Sequence, residues 1–381
     1  MILIIIYFSI YLHSLMRKLL LLLLLLSHSL FARQVIDITG TSVTVPDRPQ
    51  RIILGESRML YTLALLQPGY PAAHIAGWPG DLAKYDTQSW QQYVQRFPQI
   101  AQIPLLGSGS VRELNPERVL QLNPDLVILP RLAKTGGEEA RFRQVMQQAG
   151  VPVITVDLRV DLLHNTLPGI KILGEVLNQP QRAQAFSEFY QSRMQRIQQR
   201  LANRQGPRTT VMLHLHLGRR DTCCTTAVNG NLGQLIAFAG GDNIAAGTVK
   251  GVFGQLNPEQ VLAAQPQVYI ATGMASVDSA SKTVALGPQV NAQQARQSFQ
   301  QVMNAQPLIS QLAAVRNGRA GALWHNFYLS PYHVVATEWI AKMLYPQLFA
   351  DVDPQQTMQQ LYQQFLPLDF SGTFWSQLPN E

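Results

Sequence analysis

Arginine recurs just past the ends of short apolar runs. Arg58 follows RIILG (51–55), Arg131 follows DLVILP (125–130), Arg159 follows VPVITVD (151–157), and Arg219-Arg220 follow VMLHLHLG (211–218). A guanidinium is a fixed fork of charge-assisted donors that suits a multidentate anion. One cation after each of several strands is what an anion-binding cleft requires. Two or three of the five are expected to line it, the alternative for each being a solvated loop. Aromatic groups could add an apolar wall: Trp78 in GWPGD, and Trp324, His325, Phe327, Tyr328 and Tyr332 in ALWHNFYLSPYH. Such rings pack on an organic frame or in a core, and the Pro-broken HNFYLSP reads equally as a loop. His325 or a Tyr could ligate an unsaturated metal directly.

His214 and His216 would share one face of a strand. A closed tetrahedral site needs more ligands than this pair supplies, and the sequence has no His-rich loop, so both are read as structural. Whether the protein ligates a metal stays unknown at this level. Cys223-Cys224 are adjacent. Across a trans peptide their Cα atoms would be about 3.8 Å apart, below the usual disulfide range. A thiol pair in an oxidising compartment nevertheless tends to oxidise. We therefore expect a vicinal disulfide stiffening a ligand loop before the NGNLG turn. No GxxxxGK[ST] loop and no HExxH occurs, Gly55–Met59 lacks the last Gly of a nucleophile elbow, and LGSGS (106–110) lacks the third Gly of a dinucleotide fingerprint.

These residues need a scaffold, and the chain of 381 residues is long enough for two or three domains. With 46% hydrophobic and 14% charged residues it is not a disordered polymer, and with two Cys it is not a disulfide scaffold. The formal charge of +7 is not gathered into a basic stripe, so nucleic acid is not an expected partner. Residues 1–32 read as a secretory signal peptide: Arg17-Lys18, the apolar run Leu19–Leu26, then Ser27–Ala32 before cleavage. A membrane anchor over residues 2–31 is the alternative, but Arg17-Lys18 splits it into pieces shorter than the roughly 20 apolar residues a span needs. No Cys follows the apolar run, so there is no lipobox. Losing this segment lowers the charge from +7 to +5.

Residues 34–49 alternate around Gly40-Thr41 as a hairpin does, and beyond Arg51 strand-length runs alternate with helical stretches. That rhythm indicates an α/β fold with largely parallel sheets. Pro180 opens a Gln/Arg-rich stretch, 180–203, with Phe186, Tyr190, Met194, Ile197 and Leu201 three or four apart. It predicts one helix of about 36 Å that limits lobe motion. It joins an N-terminal lobe, 33–179, to a C-terminal lobe, 204–381. An internal repeat supports two similar lobes: LNPERVLQLNPDLVI (114–128) and LNPEQVLAAQPQVYI (256–270) share eight identities in fifteen. In each copy Asn115 or Asn257 caps a helix, Pro116 or Pro258 takes its first position, and Glu117 or Glu259 sits beside the positive helix end.

The order of these features resembles the substrate-binding proteins of ABC importers, in the class for iron chelates, haem and cobalamin. VPDRPQRIILG (45–55), ELNPERVLQLNPDLVIL (113–129), the long helix, NLGQLIAFAGGDNIAAG (231–247), FGQLNPEQVLAAQPQVYIATG (253–273) and WHNFYLSPYHVVATEWIAKMLYPQLF (324–349) carry it over residues 34–381. The resemblance implies a class III periplasmic binding protein: two α/β lobes joined by one long helix, monomeric and periplasmic, catalysing nothing and using no cofactor. It implies a ferric siderophore or related Fe(III) chelate held between the lobes by the residues above. It also implies that Glu117 and Glu259 dock to arginines of a dimeric inner-membrane ABC permease. Haem, cobalamin or free metal are alternative ligands. An exported α/β enzyme is a distant alternative, for which no nucleophile or acid–base set can be assembled.

Overall fold

The computed structural model describes residues 32–108, 111–134, 136–219, 223–275 and 283–379. Residues 1–31 and Arg220 lie outside them. The chain opens with the antiparallel hairpin β1 (Ala32–Ile36) and β2 (Ser42–Pro46). Buried Asp37 accepts the N–H groups of Thr39 and Thr41 and, at 2.9 Å, that of Thr155, which pins the hairpin turn to the first sheet.

That sheet contains β3 (Ile52–Leu54), β4 (Ile75–Gly77), β5 (Leu126–Pro130) and β6 (Val153–Val156). Its order is β4-β3-β5-β6, all parallel. β3 and β5 are buried along their whole length, as strands covered on both faces must be. The second half adds β7 (Thr209–His214), β8 (Thr225–Ala227), β9 (Gly241–Asn243), β10 (Phe253–Gln255), β11 (Val268–Gly273), β12 (Ala320–Trp324) and β13 (Trp375–Gln377). β8 and β10 form a separate antiparallel ribbon, and the other five form a sheet ordered β13-β12-β11-β7-β9. It is parallel except for β13.

Leaving out the ribbon, both sheets start from the same winding: the first strand lies between the second and third, and the fourth flanks the third. The LNPE repeats occupy matching places, each a short helix (Pro116–Gln121, Pro258–Ala264) feeding the third strand. The fold is therefore two similar α/β lobes with mainly parallel sheets, joined by one long helix. A winding of this kind has a switch point beside its first strand, where loops at the strands' carboxyl ends part and leave a crevice.

The joining helix spans Pro180–Ala202, with Pro180 in its first turn. Its buried stripe is Ala183, Phe186, Phe189, Tyr190, Met194 and Ile197. On the N-terminal side Ala183 meets Gly174 of the helix Leu162–Val176, where a Cβ on the glycine would lie 2.4 Å from that of Ala183. On the C-terminal side the Tyr190 hydroxyl meets His333 Nε2 at 2.9 Å, while His333 Nδ1 meets the Ser330 carbonyl at 2.8 Å. A carbonyl only accepts, so Nδ1 carries the proton and Nε2 accepts from Tyr190: the neutral imidazole satisfies both contacts. No helix among the described residues is long and apolar enough to cross a membrane.

Burial lowers the His333 pKa from 6.5 to about 4, and that of His214 likewise. A histidine with a depressed folded pKa contributes stability that is complete above its unfolded value and is lost as pH falls towards its folded one. The melting temperature should therefore fall as pH drops from 6.5 to 4. A His333→Gln variant, less stable at neutral pH, should show a shallower decline; thermal unfolding across that window checks both.

Candidate functional site

Between the lobes, loops leaving the carboxyl ends of both sheets meet in a cluster of charged and polar groups. From the first lobe come Glu56, Ser57 and Arg58 after β3, Asp81 and Tyr85 of the helix Asp81–Tyr85, and Arg159 beyond β6. From the second come His216 and Arg219 after β7, Thr272 of β11, and His325 and Tyr328 of the 3-10 turn His325–Leu329 after β12.

Arg58 is 8% exposed and bonded through all three of its side-chain nitrogens: Nε to Asp81 Oδ2 at 2.9 Å, Nη2 to Glu56 Oε1 at 2.6 Å, and Nη1 to the Tyr328 hydroxyl at 3.2 Å. Arg159 Nη1 donates to both Glu56 oxygens at 3.0 Å, and its Nη2 reaches the same Tyr328 hydroxyl at 3.4 Å. Asp81 also accepts the Ser57 N–H and hydroxyl, each at 2.7 Å. Burial alone would raise the Glu56 pKa, but Arg159 and Arg58 outweigh it and hold the carboxyl below its usual value. Two carboxylates thus pair with two guanidiniums and fix their directions, and among the described residues Arg219, over the Tyr85 ring at 6.0 Å, adds a further positive charge. His325 is 5% exposed, its Nδ1 lies 2.8 Å from Thr272 Oγ1, and its ring lies 3.6 Å from that of His216. Burial, then His216 and the neighbouring arginines, push its pKa well down, so its imidazole is neutral and able to act as a ligand.

The candidates read from the sequence fall into separate places. Arg58, Arg159, Arg219, His325 and Tyr328 come together. Arg131 is exposed beyond β5 and pairs with Asp157 at 3.6 Å. Arg220 is not among the described residues. Trp78, Trp324 and Phe327 are 0%, 1% and 0% exposed and belong to the core, as does Tyr332, whose hydroxyl donates to the Tyr61 carbonyl across the lobes. His214 and His216 do not share a strand face. β7 stops at His214 because Leu215 N–H turns to the Thr225 carbonyl, and His216 takes φ +55°. The His214 ring then bonds the Tyr269 hydroxyl at 2.6 Å, while His216 goes to His325. Cys223 and Cys224 are bonded to each other. They lie against the second LNPE turn, where Cys224 and Leu256 exchange both backbone hydrogen bonds at 3.1 Å. Glu117 and Glu259 are exposed in the first turns of matching helices.

Sequence reasoning missed Glu56, Asp81, Tyr85 and Thr272. Asp81 stood in the quoted GWPGD loop and Glu56 next to Arg58, so a buried arginine's need for a carboxylate was the available signal.

Residues 62–322 match the periplasmic binding protein family. The chain belongs to that family. Within it, the molybdate-binding protein MolA of Haemophilus influenzae is 25% identical over 362 residues, covering 89% of this chain and 93% of MolA. The crystal structure of the TroA-like periplasmic binding protein FepB from Veillonella parvula superposes with a TM-score of 0.81 at 26% identity, covering 91% of this chain and 99% of FepB. Helicobacter pylori CeuE with Ni(II) bound superposes at 0.64 with 15% identity over 89% and 97% of the two chains, a likeness of fold alone. These relatives are binding proteins rather than enzymes. As a periplasmic binding protein of the ABC-importer type, the chain hands a ligand to a permease.

The charge cluster carries a direct expectation for stability. Glu56→Ala leaves the buried Arg58 short of one partner and the half-buried Arg159 without its carboxylate, a change that costs about 3–5 kcal/mol. Denaturant unfolding should show this as a lowered midpoint.

Proposed function

We propose that this periplasmic binding protein captures a compact anionic metal species between its lobes, a metal oxyanion of the molybdate type being the simplest ligand. The observation that carries the reading is the convergence of Arg58 and Arg159 on one acceptor, the Tyr328 hydroxyl, from across the interface. An anionic oxygen placed there would receive the same donors with charge assistance. Full-length similarity to a molybdate-binding relative supports it. So does the burial of Trp78, Trp324, Phe327 and Tyr332, which leaves little aromatic wall for a large organic frame.

The ferric-chelate ligand implied by the sequence resemblance is the second reading. It is favoured by His216, His325 and Tyr328, nitrogen and oxygen donors grouped at the same place, which suit an incompletely coordinated iron. On either reading residues 1–32 direct export to the periplasm, no bond is made or broken, and no cofactor takes part.

Calorimetric titration of the mature chain with molybdate, tungstate and sulfate, and with ferric siderophores, haem and cobalamin, separates the two. Saturable molybdate or tungstate binding supports the first, binding of a ferric chelate alone supports the second, and binding of none overturns both. Arg159→Gln should weaken binding by about tenfold or more, since a hydrogen bond to a charged group contributes about 1.5–3 kcal/mol.

Glu117 and Glu259, exposed and repeated on the two lobes, are proposed to meet arginines of a dimeric permease. Charge reversal of both should leave ligand affinity unchanged and abolish ligand-stimulated ATP hydrolysis in the reconstituted importer. Undiminished stimulation would remove them from the docking role.

A further inference from the structure

His214 ends β7, and the bonded pair Cys223–Cys224 begins the segment leading into β8. One ring nitrogen of His214 and both sulfurs lie within 4.8 Å of one another. His214 is 4% exposed, and its Nδ1 is already held by the Tyr269 hydroxyl at 2.6 Å. The ring is thereby fixed with Nε2 as its remaining nitrogen, the arrangement by which an outer hydrogen bond orients a metal-ligating imidazole. Cys224 is buried, but Cys223 is half-buried and lines a cleft of about 700 Å³ together with Gln255, Asn257, Pro258 and Leu308. Of the two cysteines, Cys223 is the one that this cleft offers to a small reductant. None of these three groups belongs to the inter-lobe cluster.

We propose that His214, Cys223 and Cys224 form a redox-gated site for one soft, thiophilic cation. In the oxidised protein both sulfurs are spent on each other and no cation binds. A dithiol reductant transfers two electrons and two protons to the Cys223–Cys224 bond, leaving as its own disulfide. The cation then displaces the two thiol protons and is held by two thiolates and one imidazole. Two thiolates and one nitrogen in a buried setting favour Cu(I) or Zn(II) over hard cations, which prefer oxygen.

The site adjoins the second LNPE turn. Cys224 and Leu256 share both backbone hydrogen bonds, and the Gln255 side chain donates to the Cys223 carbonyl at 2.8 Å. Reduction and metal loading therefore act on the backbone that carries Glu259, independently of what the inter-lobe cleft binds.

The test compares the oxidised mature chain with the same protein reduced by a phosphine under anaerobic conditions, each titrated with Cd(II) and Cu(I) against a competing chelator. Ultraviolet thiolate-to-metal charge transfer and bound stoichiometry are the readouts. One cation per reduced chain and none per oxidised chain is the expected result. Tyr269→Phe should weaken binding by about tenfold, the lower end for loss of an outer-shell partner, and His214→Gln by more. Equal uptake by the two redox forms overturns the proposal, as does a His214→Gln protein that binds as tightly as wild type. The redox comparison uses the unaltered chain, so it stands even if a variant fails to fold. Mass spectrometry showing two free thiols in protein taken from the periplasm would overturn the gating.

Discussion

The rest of the site depends on one exchange of charge: Glu56 and Asp81 hold Arg58 and Arg159 in a nearly dry interface. An unpaired guanidinium there would be expelled to water or would draw water in. Paired, each one is aimed. Both carboxylates come from the first lobe, so the lobe that carries the two arginines also carries their counter-charges. The second lobe supplies Tyr328, His325 and His216, with Arg219 as its one cation among the described residues of the cluster. The interface is therefore asymmetric although the two sheets share a winding: one lobe provides the carboxylate-paired arginines, the other the phenol and imidazoles that face them.

That shared winding also explains why the repeated helices lie where they do. In each lobe the LNPE helix leads into the third strand, whose carboxyl end borders the switch-point crevice, and its first turn has partners just past strand carboxyl ends: Arg118 donates to the Leu105 carbonyl beside Trp78, beyond β4, and Leu256 pairs with Cys224 in the segment that meets Leu215 beyond β7. The connecting helix locks to the first lobe through the Gly174–Ala183 approach and to the second through Tyr190 and His333. Its side chains report on both.

What could be read in the sequence was what is decided locally. Asn257, Pro258 and Gln260 announce a capped helix within four residues, and Pro180 with its apolar stripe announces the long one. The end of β7 could not be read, because the reason Leu215 leaves the ladder is the Thr225 carbonyl, ten positions away. Alternation through His214 and His216 continues past the strand it suggests. The aromatic residues failed for a related reason: Trp78 and Trp324 stand in loop-like contexts, yet their burial is set by segments distant in sequence. The arginines past the strand ends were legible as a group. Which ones face the crevice was decided by Glu56 and Asp81, and Arg159 lies 103 positions from its partner Glu56.

On the anion reading proposed above, Tyr328 would set the timing of capture. Its hydroxyl occupies the place where Arg58 and Arg159 converge, so an anion entering there does not find bare donors. It must trade places with a phenol that is tethered, always present and never diluted. Capture is then an exchange, and its strength is a difference between two similar sets of bonds. The same tether would favour the reverse exchange: once a ligand has left, Tyr328 can return to the arginines without diffusing to them. A carrier built on that exchange would give up tight holding in favour of prompt unloading, with the competitor for its cargo built into its own chain.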